Sequence, residues 1–151
     1  MPKKFKFRFE PMLKVKKHKE KEKQKVLAQI TQEVLGQQDR LNGLDHQRES
    51  TLDYQRKKIA GKISLAETLL ASRYLLRLKR DRIAGEELLQ GLKRVEEERR
   101  QDLLKAARER KIYEMLKEKQ QLKHRKEMDK LEQKELDEVA TNTFRRKKST
   151  S

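Results

Sequence analysis

The sequence predicts an all-α protein: an elongated antiparallel two-helix coiled coil (an αα-hairpin) with a C-terminal helical overhang. Three observations lead there. Of 151 residues, 44% are charged and 33% hydrophobic, too little apolar surface for a compact core. High charge with low hydrophobicity also marks unfolded chains. Here, however, the only prolines are Pro2 and Pro11, glycines number 5, and the bulk is Lys, Glu, Gln, Leu, Arg and Ala, all strong helix formers. The second observation is a heptad-like spacing over the first third of the chain. The third is a single stop-and-start signal near its middle.

Residues 1–10 read as an extended N-terminal segment. Phe5, Phe7 and Phe9 alternate with Lys4, Lys6 and Arg8, a period of two. Either these rings fold back on the first helix or they form a docking peptide. Pro11 suits the first turn of a helix, where its missing N–H costs nothing.

The first coiled-coil helix is expected over 11–58. Its seam is Leu13, Lys16, Glu20, Lys23, Leu27, Ile30, Val34, Gln37, Leu41, Leu44, Arg48, Thr51 and Gln55. Polar residues occupy much of it, so modest stability follows. Gly36 and Gly43 lie inside it, each costing about 1 kcal/mol relative to alanine.

Residues 59–64 read as the hairpin turn. Lys57 and Lys58 suit a helix C-terminus, and Gly61 suits a positive φ just beyond it. Ser64 and Glu67 then have the spacing of a capping box. A stop and a start this close mean antiparallel arms.

The second helix is expected over 65–140, with 141–151 a basic flexible tail. Leu65, Leu69, Leu76 and Ile83 open one apolar stripe, and Leu88, Leu92, Val95, Ala106, Tyr113 and Leu116 continue a displaced one. The displacement predicts slippage toward an eleven-residue spacing near Gly85 and Gly91. At ~1.5 Å per residue the arms span about 70 and 115 Å. The first arm then ends opposite residue ~111, leaving the overhang.

The net charge is +16. Residues 1–25 hold 11 basic and 3 acidic side chains, while residues 112–144 hold 7 and 8. Arg145, Arg146, Lys147 and Lys148 end the chain. Basic ends steer toward an acidic partner, an anionic membrane or nucleic acid. A basic coiled-coil protein bound to nucleic acid or the ribosome is therefore the main rival reading. Against it, aromatic residues are only 5% and no stacking platform is visible.

No cysteine means no disulfide and no thiolate metal site. No apolar run suits a bilayer span or a signal peptide. A cytosolic chain is the expectation. His18, His46 and His124 are far apart, and His124 with Glu127 is expected to be a solvated face rather than a metal site. No phosphate loop, nucleophile elbow or catalytic set is present. The expectation is a non-enzymatic protein without a cofactor. Tyr54, Tyr74, Leu75, Leu76 and Leu78 crowd the turn. They form either an aromatic plug or an exposed docking patch.

Three stretches carry a family resemblance. Phe7-Arg8-Phe9-Glu10-Pro11-Met12-Leu13 leads into the first helix. Tyr74-Leu75-Leu76-Arg77-Leu78 lies early in the second. Glu132-Gln133-Lys134-Glu135-Leu136-Asp137-Glu138-Val139-Ala140 closes it, followed by Phe144. Together they resemble the flagellar export protein FliJ family of the flagellar type III secretion apparatus. The injectisome stalk proteins share the architecture, but the Phe-x-Phe start and the C-terminal run favour the flagellar branch.

The resemblance implies a stalk-like hairpin that binds the export ATPase hexamer, the membrane export gate and escort chaperones, peripheral to the inner membrane at the flagellar basal body. It assigns ATPase contact to Phe7, Phe9, Leu13, Leu136, Asp137, Val139 and Ala140. It assigns gate contact to Tyr74, Leu75 and Leu78. Asp81, Gly85 and the lysine-rich residues 14–25 depart from the family pattern.

Overall fold

The computed structural model describes residues 3–150. It contains two helices, α1 (Glu10–Ile59) and α2 (Leu65–Ser149), and no strand among the described residues. They pack as a helical hairpin across residues 60–64. The chain forms two packing units, each drawing on both helices: residues 21–105, and residues 3–20 with 106–150.

The turn belongs to the unit 21–105. Arg56, Lys57 and Lys58 stand in the last turn of α1, where cations offset the macrodipole. The Gly61 N–H donates to the Lys58 carbonyl at 3.1 Å, a tightened final turn. No glycine has a positive φ. The expected left-handed cap at Gly61 is therefore replaced by this three-residue closure. Ser64 does cap α2: its Oγ accepts from the Glu67 N–H at 3.5 Å, and its carbonyl accepts from the Thr68 N–H at 3.0 Å. The Glu67 carboxylate reaches across to Lys58 at 3.3 Å.

In this unit the α1 seam follows the predicted heptad. Leu27, Ile30, Val34, Gln37, Leu41, Leu44, Thr51 and Gln55 are all buried or half-buried, and only Arg48 of the expected positions is exposed. The α2 seam differs from expectation near the turn, whereas Leu92 and Val95 of the expected displaced stripe are covered, as are Ala106, Tyr113 and Leu116 farther on. Ala71, Leu75, Leu78, Arg82, Gly85, Leu89, Leu92, Glu96, Arg99 and Leu103 form a covered line in unbroken alternation of four and three, with Val95 and Asp102 half-buried beside it. There is no slippage at Gly85 or Gly91. Leu65, Leu69, Leu76, Ile83 and Leu88 are exposed beside this seam. Charged seam residues lie along the interface on their aliphatic stems and keep their heads wet. Arg82, for example, meets Asp45 across the helices at 2.9 Å.

Gly85 is buried where α2 lies tight against Gln37 and Leu41 of α1. The Gln37 side-chain amide, itself buried, donates to the Gly85 carbonyl at 3.1 Å. A Cβ on Gly85 would stand 2.7 Å from Leu41 Cδ2 and 3.1 Å from Gln37 Nε2. The missing side chain lets the backbones approach and frees a carbonyl to receive a buried amide. A single polar pair of this kind fixes helix register, because sliding by one turn would leave Gln37 buried without a partner.

The unit 3–20 with 106–150 is centred on Leu13, which is 1% exposed, with Phe7 and Ala106 also buried. Its polar seam positions are matched by charge. Lys16 meets Glu109 at 2.9 Å, Glu10 meets Lys117 at 2.9 Å, and Arg110 meets both Glu20 and Glu114. Such part-exposed pairs contribute about 0–1 kcal/mol each, so they select register more than they stabilise.

Helix α2 runs past Ala140 to Ser149, so residues 141–149 of the segment expected as a flexible tail are helical, and Ser151 lies outside the described residues. No glycine or proline follows Gly91. The hydroxyls of Thr141 and Thr143 donate back to the carbonyls of Asp137 and Val139, each at 2.7 Å. Arg146, Lys147 and Lys148 sit in the last turn, favourable for the macrodipole.

Candidate interaction surfaces

The first surface lies in the unit 3–20 with 106–150. Its N-terminal segment is laid along α2 rather than folded on α1. Phe5 packs on His124 with ring centroids 5.6 Å apart, and Phe9 packs on Tyr113 at 6.4 Å. Phe7 meets Phe9 edge-on at 6.0 Å. His124 is half-buried, and its Nε2 lies 3.0 Å from the Lys3 carbonyl. His124 therefore holds this segment instead of lining a solvated face. Lys117 beside Glu10 keeps that carboxyl below the usual carboxylate range, chiefly through their hydrogen bond. The resulting contribution is present at neutral pH and is lost as acid protonates Glu10.

This packing divides the residues expected to contact an ATPase. Phe7 and Leu13 are buried, so they build the collar and offer little to a partner. Phe9 and Met12 are exposed at its rim. On α2 every residue from 131 to 150 is exposed. There Leu136, Val139, Ala140, Thr143 and Phe144 follow the spacing of one helix face, with Asp137 beside it. Phe144 enters this face because the helix does not stop at Ala140.

The second surface lies at the tip of the unit 21–105. Of the residues expected there, Leu78 is 4% exposed and belongs to the seam. Leu75 is half-buried. Tyr74 is exposed, and its hydroxyl donates to Gln47 Oε1 at 3.4 Å. Asp81 is exposed and Gly85 is interior, so neither extends the patch. The aromatic plug is not formed, since Tyr54 and Tyr74 are both exposed; what the seam covers here is Leu78 and, in part, Leu75. Leu44, Leu52, Leu75, Leu76 and Ile83 line an open groove of about 540 Å³ beside Leu78.

All of residues 56–70 are exposed, including Ile59, Ile63, Leu65, Leu69 and Leu70. Residues 56–80 hold 8 basic side chains and 1 acidic one, Glu67. That concentration is hidden in any longer window, because acidic residues gather from Asp81 onward. Lys58 lies over the Tyr54 ring at 5.5 Å, and its ammonium is held above the usual lysine range by Glu67 first and Tyr54 second.

Among the described residues no group of His, Asp and Glu is placed to hold a metal, and no helix is long and apolar enough to cross a membrane. Residues 5–149 match the family model described as Flagellar FliJ protein. The chain belongs to the flagellar FliJ protein family. No curated protein and no solved structure matches it. As a FliJ-family chain it is a component of the flagellar export apparatus, the flagellar form of type III protein secretion. The matched span takes in both the Phe5–Phe9 collar and the helical extension to Ser149.

Proposed function

We propose that this FliJ-family chain is a non-enzymatic stalk whose terminal end engages the export ATPase ring, and whose hairpin tip reaches the membrane export gate and receives escort chaperones. It would work in the cytoplasm, at the inner face of the inner membrane. The observation that carries the reading is the C-terminal stretch of α2. It is a single helix, exposed on every residue from 131 to 150, with one apolar face. Charged groups surround that face, so it stays soluble alone, while a ring channel is a partner slender and enclosing enough to cover it.

Leu136, Val139, Ala140 and Phe144 supply the bearing surface in this reading, with Phe9 and Met12 at the collar. Asp137 is placed to meet a basic residue of the ring. Phe7 and Leu13 act by holding the collar in shape. At the tip, Tyr74 and the exposed flank of Leu75 serve the gate, while Leu78 supports them from the seam.

Copurification with the export ATPase tests the ring contact. The double variant Leu136→Asp/Val139→Asp changes two exposed side chains and is expected to keep its helicity. Its affinity for the ATPase should fall at least tenfold, since losing about 1.4 kcal/mol suffices for that. Unchanged capture would place the contact elsewhere.

A further inference from the structure

We propose that the hairpin tip of residues 56–80 docks directly on an anionic lipid surface, with an apolar cap among the acyl chains and a basic collar among the headgroups. The cap is Ile59, Ile63, Leu65, Leu69 and Leu70. All five are exposed, Leu65 to 84%. Ile59 ends α1 and Leu65 begins α2, so at ~1.5 Å per residue the cap lies within about 8 Å of the tip. That is the depth to which interfacial apolar side chains sink.

Charge lies among the cap residues on α1 and behind them on α2. Arg56, Lys57 and Lys58 lie on the α1 side, and Arg73, Arg77 and Arg80 on the α2 side. The lone acid of this stretch, Glu67, is occupied by Lys58 at 3.3 Å. Arg56, Lys57, Lys58 and Lys62 lie at the depth of the cap, and their long stems can carry the charges back to the headgroups. Exposed Tyr54 and Tyr74 stand farther from the tip than the cap, one on each helix, as amphipathic rings that suit a membrane interface. The tip thus combines exposed apolar side chains with long-stemmed cations among and behind them, a mixture suited to an interface where acyl chains meet anionic headgroups.

One feature favours lipid over an acidic protein. Leu69 and Leu70 are successive, so they point about 100° apart around α2, and Ile59 and Ile63 together line a separate hollow that neither leucine enters. A protein groove grips one face, whereas a fluid interface accepts a tip that is apolar all round. The C-terminal face differs in kind: Glu135, Asp137 and Glu138 surround Leu136.

The inference rests on the tip's own chemistry and not on the ATPase reading. A test on protein-free vesicles lets either fail without the other. The chain contains no tryptophan, so Ile63→Trp and Phe144→Trp each give a single fluorophore. Both would be titrated, as full-length chains at physiological salt, with phosphatidylcholine vesicles containing or lacking phosphatidylglycerol and carrying brominated acyl chains. The expected result is a blue shift and bromine quenching for Ile63→Trp on the anionic vesicles alone, with Phe144→Trp unchanged. Ile63→Asp/Leu65→Asp should reduce partitioning at least tenfold with unchanged circular dichroism. Three results would overturn the proposal: no binding to anionic vesicles, binding with the tryptophan of Ile63→Trp left unquenched, or quenching of Phe144→Trp instead. Should vesicle binding be absent while the double variant loses capture of the purified gate, the tip is a protein-docking surface.

Discussion

Gly85→Leu is expected to lower the melting temperature of the chain by about 10 °C. The site already lacks room for one carbon, since a Cβ would sit 2.7 Å from Leu41 Cδ2. A leucine would push α1 and α2 apart there, at an overpacking cost of about 1–3 kcal/mol. Separation would also remove the partner of the buried Gln37 amide, which adds about 1–3 kcal/mol. At about 2–4 °C per kcal/mol for a chain of this size, the shift follows. Gly36, Gly43 and Gly91 provide the contrast, because nothing lies within 4 Å of a Cβ at any of them. Alanine at each should stabilise by about 0.5–1 kcal/mol through helix propensity. Thermal unfolding followed by circular dichroism reads all four. A Gly85→Leu chain as stable as the parent would mean that the helices do not approach closely at this position.

Leu13→Ala is expected to have a comparable effect in the other packing unit. Leu13 is the most deeply buried large side chain of the molecule. Its truncation leaves a cavity and costs about 2–5 kcal/mol. The loss should be local first. Phe7 and Phe9 lie immediately before it, and the Leu13 N–H donates to the Phe9 carbonyl at 2.9 Å. Amide exchange at residues 5–13 should therefore accelerate well before the rest of α1 opens. Val15, two residues on and largely exposed, is the control. Val15→Ala should change stability by less than about 0.5 kcal/mol.

The hairpin, its turn and the α1 seam were legible in the sequence, and the α2 seam was legible in its second half, where Leu92, Val95, Ala106, Tyr113 and Leu116 are covered, but not in its first. On α1 the cluster Leu27, Ile30, Val34, Leu41 and Leu44 marks the phase, and polar positions such as Lys16 and Glu20 fall in step with it. On α2 the covered line runs through Arg82, Gly85, Glu96, Arg99, Arg110 and Lys117. Apolar pattern is a poor guide where stems of charged residues and a glycine do the packing. The exposed Leu69, Leu76 and Ile83, one heptad apart, mimic a seam they do not form.

The candidate surfaces were partly legible for the same reason. Phe7, Leu13 and Leu78 were expected at partner contacts, yet each is buried, because an apolar side chain in a two-helix protein serves packing before recognition. The His124–Phe5 contact was not visible at all, since it joins residues 119 apart in sequence through an extended segment. The helical extension to Ser149 followed from the absence of any breaker after Gly91, a signal that the four consecutive basic residues at the end obscured.

The measurement that bears most directly on the stalk reading is ATP hydrolysis by the purified export ATPase with full-length chain and with chain truncated after Glu127. Truncation removes the exposed residues 131–150 and leaves the collar contacts at Tyr113, Lys117 and His124 in place. The truncated chain should retain its melting temperature to within a few degrees. Full-length chain should promote ring assembly and raise turnover, and truncated chain should do neither at equal concentration. Equal stimulation by both forms would contradict the account by placing the contact away from the C-terminal helix, and no stimulation by either would remove the stalk role.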